Sequence, residues 1–200
     1  MVVLIFGNDK ICREVKSALE SAGHIAAMTD EAAQIQKLLT EENGLDMLVI
    51  GRCGQAPKDA ADIAGGLDYN GMEQRYADDV IEPLKAVKEA APYLELGACR
   101  RICYLNPTMG SNNSCRARSG YAVHMTASAV NMQVNLLFNR LHPQGYSFRL
   151  FGVDSMHEPE EQARAACWYF LADRSRDADQ KHADENRLVM RDFDGREIPW

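Results

Sequence analysis

The 200-residue sequence lacks the features that mark a membrane span, a bound metal or a nucleic-acid partner. Spanning a bilayer takes about 20 consecutive apolar residues, and the chain has no such run. Its start, Met1 to Phe6, is apolar but short. Without the basic flank and small-residue cleavage pattern of a secretory leader, it reads as a buried strand. Basic residues are in the minority, with 22 Lys+Arg against 29 Asp+Glu and a net charge of -7. That balance gives no overall pull toward nucleic acid or anionic lipid. Arg100-Arg101 and Arg116/Arg118 are small clusters that read as solvated surface. Cysteines stand at 12, 53, 99, 103, 115 and 167, and Cys99 and Cys103 miss the C-x-x-C spacing. Histidines 24, 124, 142, 157 and 182 are scattered, and His157-Glu158 lacks the second histidine of a zincin motif. The expectation is no metal, reduced thiols and a cytoplasmic location. Internal repeats and low-complexity tracts are also absent.

What is present is an alternation of strand and helix. Val2-Val3-Leu4-Ile5-Phe6 is uniformly apolar, as expected of a strand buried on both faces. Gly7-Asn8-Asp9 closes it, and a helix follows with Val15, Leu19 and Ala22 on one stripe and Gly23 as its stop. A second strand is expected at His24–Met28, a helix at about Glu31–Glu42 and a third strand at Met47–Ile50. Gln55 to Asn70 reads as loop. A long helix over about Met72–Leu94 carries apolar residues at 76, 80, 84, 87, 91 and 94, with Pro83 predicting a kink or a broken start. Strands at Arg101–Leu105, Phe148–Val153 and Arg187–Met190 into Arg191 follow. Between them lie a helix over Ser119–Leu141 and another from Pro159 to about Leu171. Arg174 to Asn186 is highly charged and reads as a solvated loop. The length suits one domain, 1–200, of α/β class, with a doubly wound parallel sheet of about six strands flanked by helices.

The Ser119–Leu141 helix has apolar residues on two sides. One stripe runs through Val123, Ala127, Val130, Val134, Leu137 and Leu141, and the other through Tyr121, Met125, Met132 and Leu136. The first can meet the sheet. The second needs a lid or another subunit.

These segments in this order resemble the short-chain dehydrogenase/reductase family, a Rossmann-type fold, over essentially the whole chain. The resemblance rests on the first strand and Gly7, on Leu48-Val49-Ile50-Gly51-Arg52-Cys53-Gly54, on Ala91-Pro92-Tyr93-Leu94, on Gly120-Tyr121-Ala122 and on the ending Asp194-Gly195-Arg196-Glu197-Ile198-Pro199-Trp200. It implies a catalytic serine thirteen residues before the tyrosine; 121 − 13 gives Thr108. It implies a helix asparagine where Asp79 stands, a tyrosine at Tyr121 and a lysine where Met125 stands. Residues four apart on a helix share a face, and in the family that lysine lowers the tyrosine pKa and holds the nicotinamide ribose. An unperturbed phenol, with a pKa of about 10, is a poor base near neutral pH. Methionine offers neither charge nor donor.

The cofactor positions implied by the resemblance are altered too. The family's G-x-x-x-G-x-G turn reads Gly7-Asn8-Asp9-Lys10-Ile11-Cys12-Arg13, keeping only Gly7. Ile11 and Cys12 are expected to crowd the phosphates and Asp9 to repel them. Asp30 stands where NAD-preferring members hold the ribose, although an aspartate there also fits a helix N-cap. The stretches between Asp30 and Asp46 and between Val153 and Pro159 are shorter than in the family. The reading that follows is a degenerate member without dehydrogenase activity and without cofactor. It would act as a homo-oligomer, or as a partner of an active paralogue, through helices 72–94 and 119–141. The alternative is an NAD(P)-dependent oxidoreductase using Tyr121 and Thr108, with NAD placed by Asp30.

Overall fold

The computed structural model describes residues 1–42, 44–51, 66–172 and 184–200. Most of the expected loop at Gln55–Asn70, together with Arg52, Cys53, Gly54 and His182, lies outside the described residues. The strands are β1 (Val2–Phe6), β2 (Ile25–Thr29), β3 (Met47–Ile50), β4 (Arg101–Pro107), β5 (Ser147–Val153), β6 (Met190–Arg191) and β7 (Glu197–Ile198). The helices are α1 (Lys10–Ser21), α2 (Ile35–Leu39), α3 (Tyr69–Tyr76), α4 (Glu82–Leu96), α5 (Tyr121–Leu141) and α6 (Pro159–Leu171).

One sheet takes the order β2-β1-β3-β4-β5-β6-β7. Every neighbouring pair is parallel except β6 with β7. Seven strands replace the six or so expected, because part of the C-terminal tail folds back as an antiparallel edge. Side chains alternate across the sheet. Leu4, Phe6, Leu48, Ile50, Ile102 and Tyr104 meet α2, α4 and α5 on one face. Val3, Ile5, Val49, Cys103, Leu105 and Phe151 meet α1 and α6 on the other. The apolar runs seen in the sequence are the direct record of this two-sided burial.

The long helix before β4 is not one α-helix. Residues Ala77–Ile81 form a π-turn between α3 and α4. Pro83 has no N–H, so the Asp79 carbonyl four residues back has no α-helical donor, and the turn widens just upstream. Gln133 on α5 donates to the Val80 carbonyl at 2.7 Å and accepts from the Tyr104 hydroxyl at 3.2 Å. The bulge is thereby tied to both α5 and the sheet. Tyr76 and Leu84, expected on the buried stripe, are 46% and 44% exposed. The expected Glu31–Glu42 helix shrinks to a 3-10 turn, Ala32–Gln34, and α2.

The charged stretch before β6 is not wholly solvated. Asp184 and Glu185 are buried. Glu185 Oε1 takes Arg149 Nη2 at 2.6 Å and Arg101 Nη2 at 2.5 Å. Arg101 also donates to the carbonyls of Phe170 and Ala172 at the end of α6. Asp184 accepts from Tyr169 and pairs with Arg191 at 2.8 Å. Composition flagged these residues as surface, but charges tolerate burial when each finds a partner. Removing Glu185 takes the shared carboxylate away from two buried guanidiniums. Glu185→Ala is therefore expected to cost about 3–5 kcal/mol, lowering Tm on the order of 10 °C in a calorimetric scan; a change within the error of the wild type would contradict the assigned network.

Candidate functional site

In open parallel sheets ligands sit outside the carboxyl ends of the strands. Here that edge carries a crevice above Ile50, Gly51 and Asn106, walled by α3, the π-turn and α5. Its volume is only ≈ 10 Å³, room for roughly one water. Arg75 and Asp79, one helical turn apart, form a buried ion pair at 3.0 Å with side chains 1% and 5% exposed. Arg75 Nε also donates to Thr126 Oγ1 at 3.2 Å, joining α3 to α5. Below this, Asn106 at the end of β4 donates to the Ala127 carbonyl at 2.9 Å and to Asn131 Oδ1 at 2.7 Å. Asn131 and Ser128 both donate to the Gly110 carbonyl at 3.0 Å. A Cβ on Gly110 would stand 2.9 Å from the Ala127 backbone, so only glycine lets the loop lie this close to α5.

The residues expected to carry chemistry are only partly brought together. Asp79 lines the crevice, paired with Arg75. Thr126, Ala127 and Val130 are what α5 presents there; Tyr121 and Met125 are not among the lining residues. Tyr121 is the first residue of α5 and is half-buried. Met125 is 58% exposed and shares the outer face with Met132 and Leu136. Thr108 opens the 3-10 turn after β4 and packs its methyl group toward β5, 2.9 Å from where a Gly152 Cβ would be. Among the described residues no hydrogen bond joins Thr108 to Tyr121. A spacing of four placed Tyr121 and Met125 on one face, as expected, but the structure turns that face outward.

At the other end of the edge, the turn that begins at Gly7 meets the end of β2. Gly7 N–H donates to the Thr29 carbonyl at 2.9 Å, and Asn8 Nδ2 donates to Asp30 at 2.5 Å. Asp30 caps no helix. The hydroxyl of Thr29 instead accepts from Glu31 N at 3.1 Å. Ile11 and Cys12 do not crowd the turn: both are buried against the sheet, with Cys12 Sγ under Gly51. Asp9 is the side chain that faces the head of α1. Its carboxylate N-caps α1, accepting from Cys12 N at 2.9 Å, and so holds an amide that an anion would otherwise use.

Sequence reasoning missed Arg75, Asn106, Asn131 and Gln133. Arg75 had a signal, an arginine four residues before Asp79 on a helix. The two asparagines and the glutamine had none, because only the fold sets them opposite one another. No group of three or more His, Cys, Asp or Glu is placed to hold a metal among the described residues.

Comparison with known proteins places the fold. No protein-family profile matches the chain. C-signal of Myxococcus xanthus is 30% identical over 82 residues, 41% of this chain and 49% of that protein. The match thus spans about half the length of that relative. Among solved structures, a protein from Burkholderia multivorans described as a short-chain alcohol dehydrogenase superposes with a TM-score of 0.76 at 14% identity, covering 100% of this chain and 98% of that one. A carbonyl reductase from Pseudomonas aeruginosa, in complex with NADP, gives 0.75 at 17% identity, with 100% and 99% covered. A short-chain dehydrogenase/reductase from Serratia marcescens gives 0.67 at 18% identity, with 84% and 88% covered. Identities this low establish the fold.

The thiols supply a check on the packing around the site. Burial raises Cys103 well above its ordinary value of 9.0 and Cys167 to about 12. A native pKa above the unfolded one adds stability that is complete below roughly pH 8–9. That stability falls away as pH rises and only the unfolded chain ionises. Thermal scans should therefore show Tm falling above that pH. A thiol reagent at neutral pH should label the exposed Cys115 while sparing Cys103 and Cys167 until the chain unfolds.

Proposed function

We propose that this chain, which has the fold of short-chain dehydrogenases and reductases, performs no dehydrogenase chemistry and serves as an oligomerising or structural partner subunit. One observation carries the reading: α5 delivers no proton-transferring side chain to the crevice. Thr126 there is bonded to the Ala122 carbonyl and to Arg75, and Ala127 and Val130 are apolar. Restoring a charge at position 125 would place it in solvent. The Arg75–Asp79 pair fills the space with two charges that cancel.

The residues present do not fit a nicotinamide dinucleotide. The Asp9 carboxylate occupies the N-terminus of α1 where a pyrophosphate would bind, and like charges there repel. Asp30 alone suits a ribose.

The surface that supports a partner role is the outer groove between the π-turn, α4 and α5. It measures ≈ 400 Å³ and is lined by Tyr76, Ile81, Leu84, Met132 and Leu136. All five are large, apolar and 39–63% exposed. Contiguous apolar patches of this kind mark protein contacts. A second copy of the chain, or an active relative of the same fold, would cover it.

The oxidoreductase reading keeps one point in its favour. The P. aeruginosa carbonyl reductase in complex with NADP is matched over 99% of its length. The likeness therefore extends over essentially the whole of a fold that is in complex with NADP in that protein.

Calorimetric titration with NADH and NADPH separates the two readings. No heat at millimolar cofactor is expected, and a micromolar Kd for either would sink the proposal. Met125→Lys should gain no cofactor binding. Sedimentation should give twice 22.3 kDa or a higher multiple for the chain alone, or the summed mass of this chain and a partner of the same fold, and 22.3 kDa in both cases would contradict the reading. Leu136→Glu should return the chain to its monomer mass with its helical circular dichroism retained, and its Tm should no longer depend on protein concentration.

A further inference from the structure

The loop after β5 holds a built pair of titratable groups that the preceding reading leaves unused. His157 Nδ1 lies 3.0 and 3.1 Å from the two carboxylate oxygens of Asp154. Asp154 is fixed in turn, because the N–H groups of Met156 and His157 both donate to its Oδ1, at 2.8 and 3.1 Å. Partial burial works to raise the Asp154 carboxyl, but these N–H groups and the His157 ring outweigh it and hold it below its ordinary 3.8. Gln162, a buried residue of α6, accepts from Asp154 N and donates to the carbonyls of Asp154 and His157. The imidazole lies flat on Phe193 of the tail, with centroids 3.9 Å apart and planes 16° apart. Its side chain remains 33% exposed.

This rigidity fixes a tautomer. A carboxylate at Nδ1 keeps the proton there and leaves the Nε2 lone pair directed away from Asp154. Backbone carbonyls hold the proton on Nδ1 of His124 and His142 as well, so what sets His157 apart is a carboxylate, whose charge offsets an imidazolium. Nδ1 of His124 faces the Met109 carbonyl, that of His142 the Tyr146 carbonyl and that of His24 the chain amine. The location matters as well. Pro107 of β4 pairs with Val153 of β5, so Thr108 and Asp154 follow side by side at the carboxyl edge of the sheet. The charged groups on the surrounding elements are Glu158, Glu160 and Glu161 at the start of α6, and Asp192 and Asp194 on either side of Phe193.

We propose that His157, oriented by Asp154 and held flat by Phe193, is an acid–base centre at the β5 end of this edge, serving a small molecule that bears a hydroxyl or carbonyl group. A hydroxyl proton passes to Nε2 while its bonding electrons stay on the ligand oxygen. Asp154 offsets the imidazolium that forms, and the reverse transfer restores both partners. This inference is independent of the partner-subunit reading and needs no cofactor.

Diethyl pyrocarbonate is the probe. The unprotonated nitrogen attacks one carbonyl, takes an ethoxycarbonyl group and releases ethanol and carbon dioxide. Peptide mapping of the full chain should show His157 labelled faster than His24, His124 and His142. Asp154→Asn presents an amide that can donate to Nδ1, reversing the tautomer, and should slow labelling of His157 by about tenfold or more. A histidine that reacts only because it is exposed would not depend on Asp154. Labelling no faster than His142, or an Asp154→Asn rate equal to the wild type, would overturn the proposal. Should that variant fold poorly, long-range proton–nitrogen spectra of the wild type decide the matter: neutral His157 should carry its proton on Nδ1, and a proton on Nε2 would exclude it.

Discussion

Val3 and Ile5 point to one side of β1, Leu4 and Phe6 to the other, and all four are fully buried. A parallel sheet forces this. Its strands can be joined only by crossovers, and the crossover helices cover both faces. The constraint leaves the edges of the sheet as the places where backbone groups, loops and polar side chains can meet solvent. Two of the buried polar clusters lie at these edges. The Arg101–Arg149–Glu185 cluster ties the carbonyl end of α6 to the starts of β4 and β5. At the carboxyl edge, Arg75–Asp79 and the Asn106–Asn131–Gly110 chain of hydrogen bonds do the same for α3, β4 and α5.

At the carboxyl edge, packing and polar chemistry are carried by different residues. The helices that wall the crevice keep their packing, through Gln133 on the π-turn and Asn131 on the β4 loop. Tyr121 and Thr108 are not among the residues that line the crevice. An aspartate caps α1, a salt bridge fills the crevice, and the apolar side of α5 faces out. A few residues along the same edge, Asp154 and His157 form a pair that is fully oriented. Orientation, not the mere presence of titratable groups, separates these two regions.

Much of the fold was legible because it rests on local pattern. Uniform apolar runs gave the buried strands, and Pro83 marked the break in the helix before β4. Other features escaped for stated reasons. Glu197–Ile198 is too short to announce a strand and pairs only because β6 presents a free edge. Asp184 and Glu185 sit in a charged stretch whose composition predicts solvent, and the arginine partners of Glu185 are more than thirty residues away. Ile11 and Cys12 follow the glycine turn directly, but the start of α1 rotates them into the core.

The sequence by itself determined the fold class, the order of strands and helices, and the shared face of Tyr121 and Met125. These depend on period, on turn residues and on which side chains avoid water. Only the tertiary structure decided which way that face of α5 turns. The sheet claims the stripe through Ala127, Val130 and Val134, and one helix cannot bury two opposite stripes against one sheet. The same packing set Asp79 beside Arg75, Asn106 beside Asn131 and Phe193 on His157, pairings that no local spacing encodes.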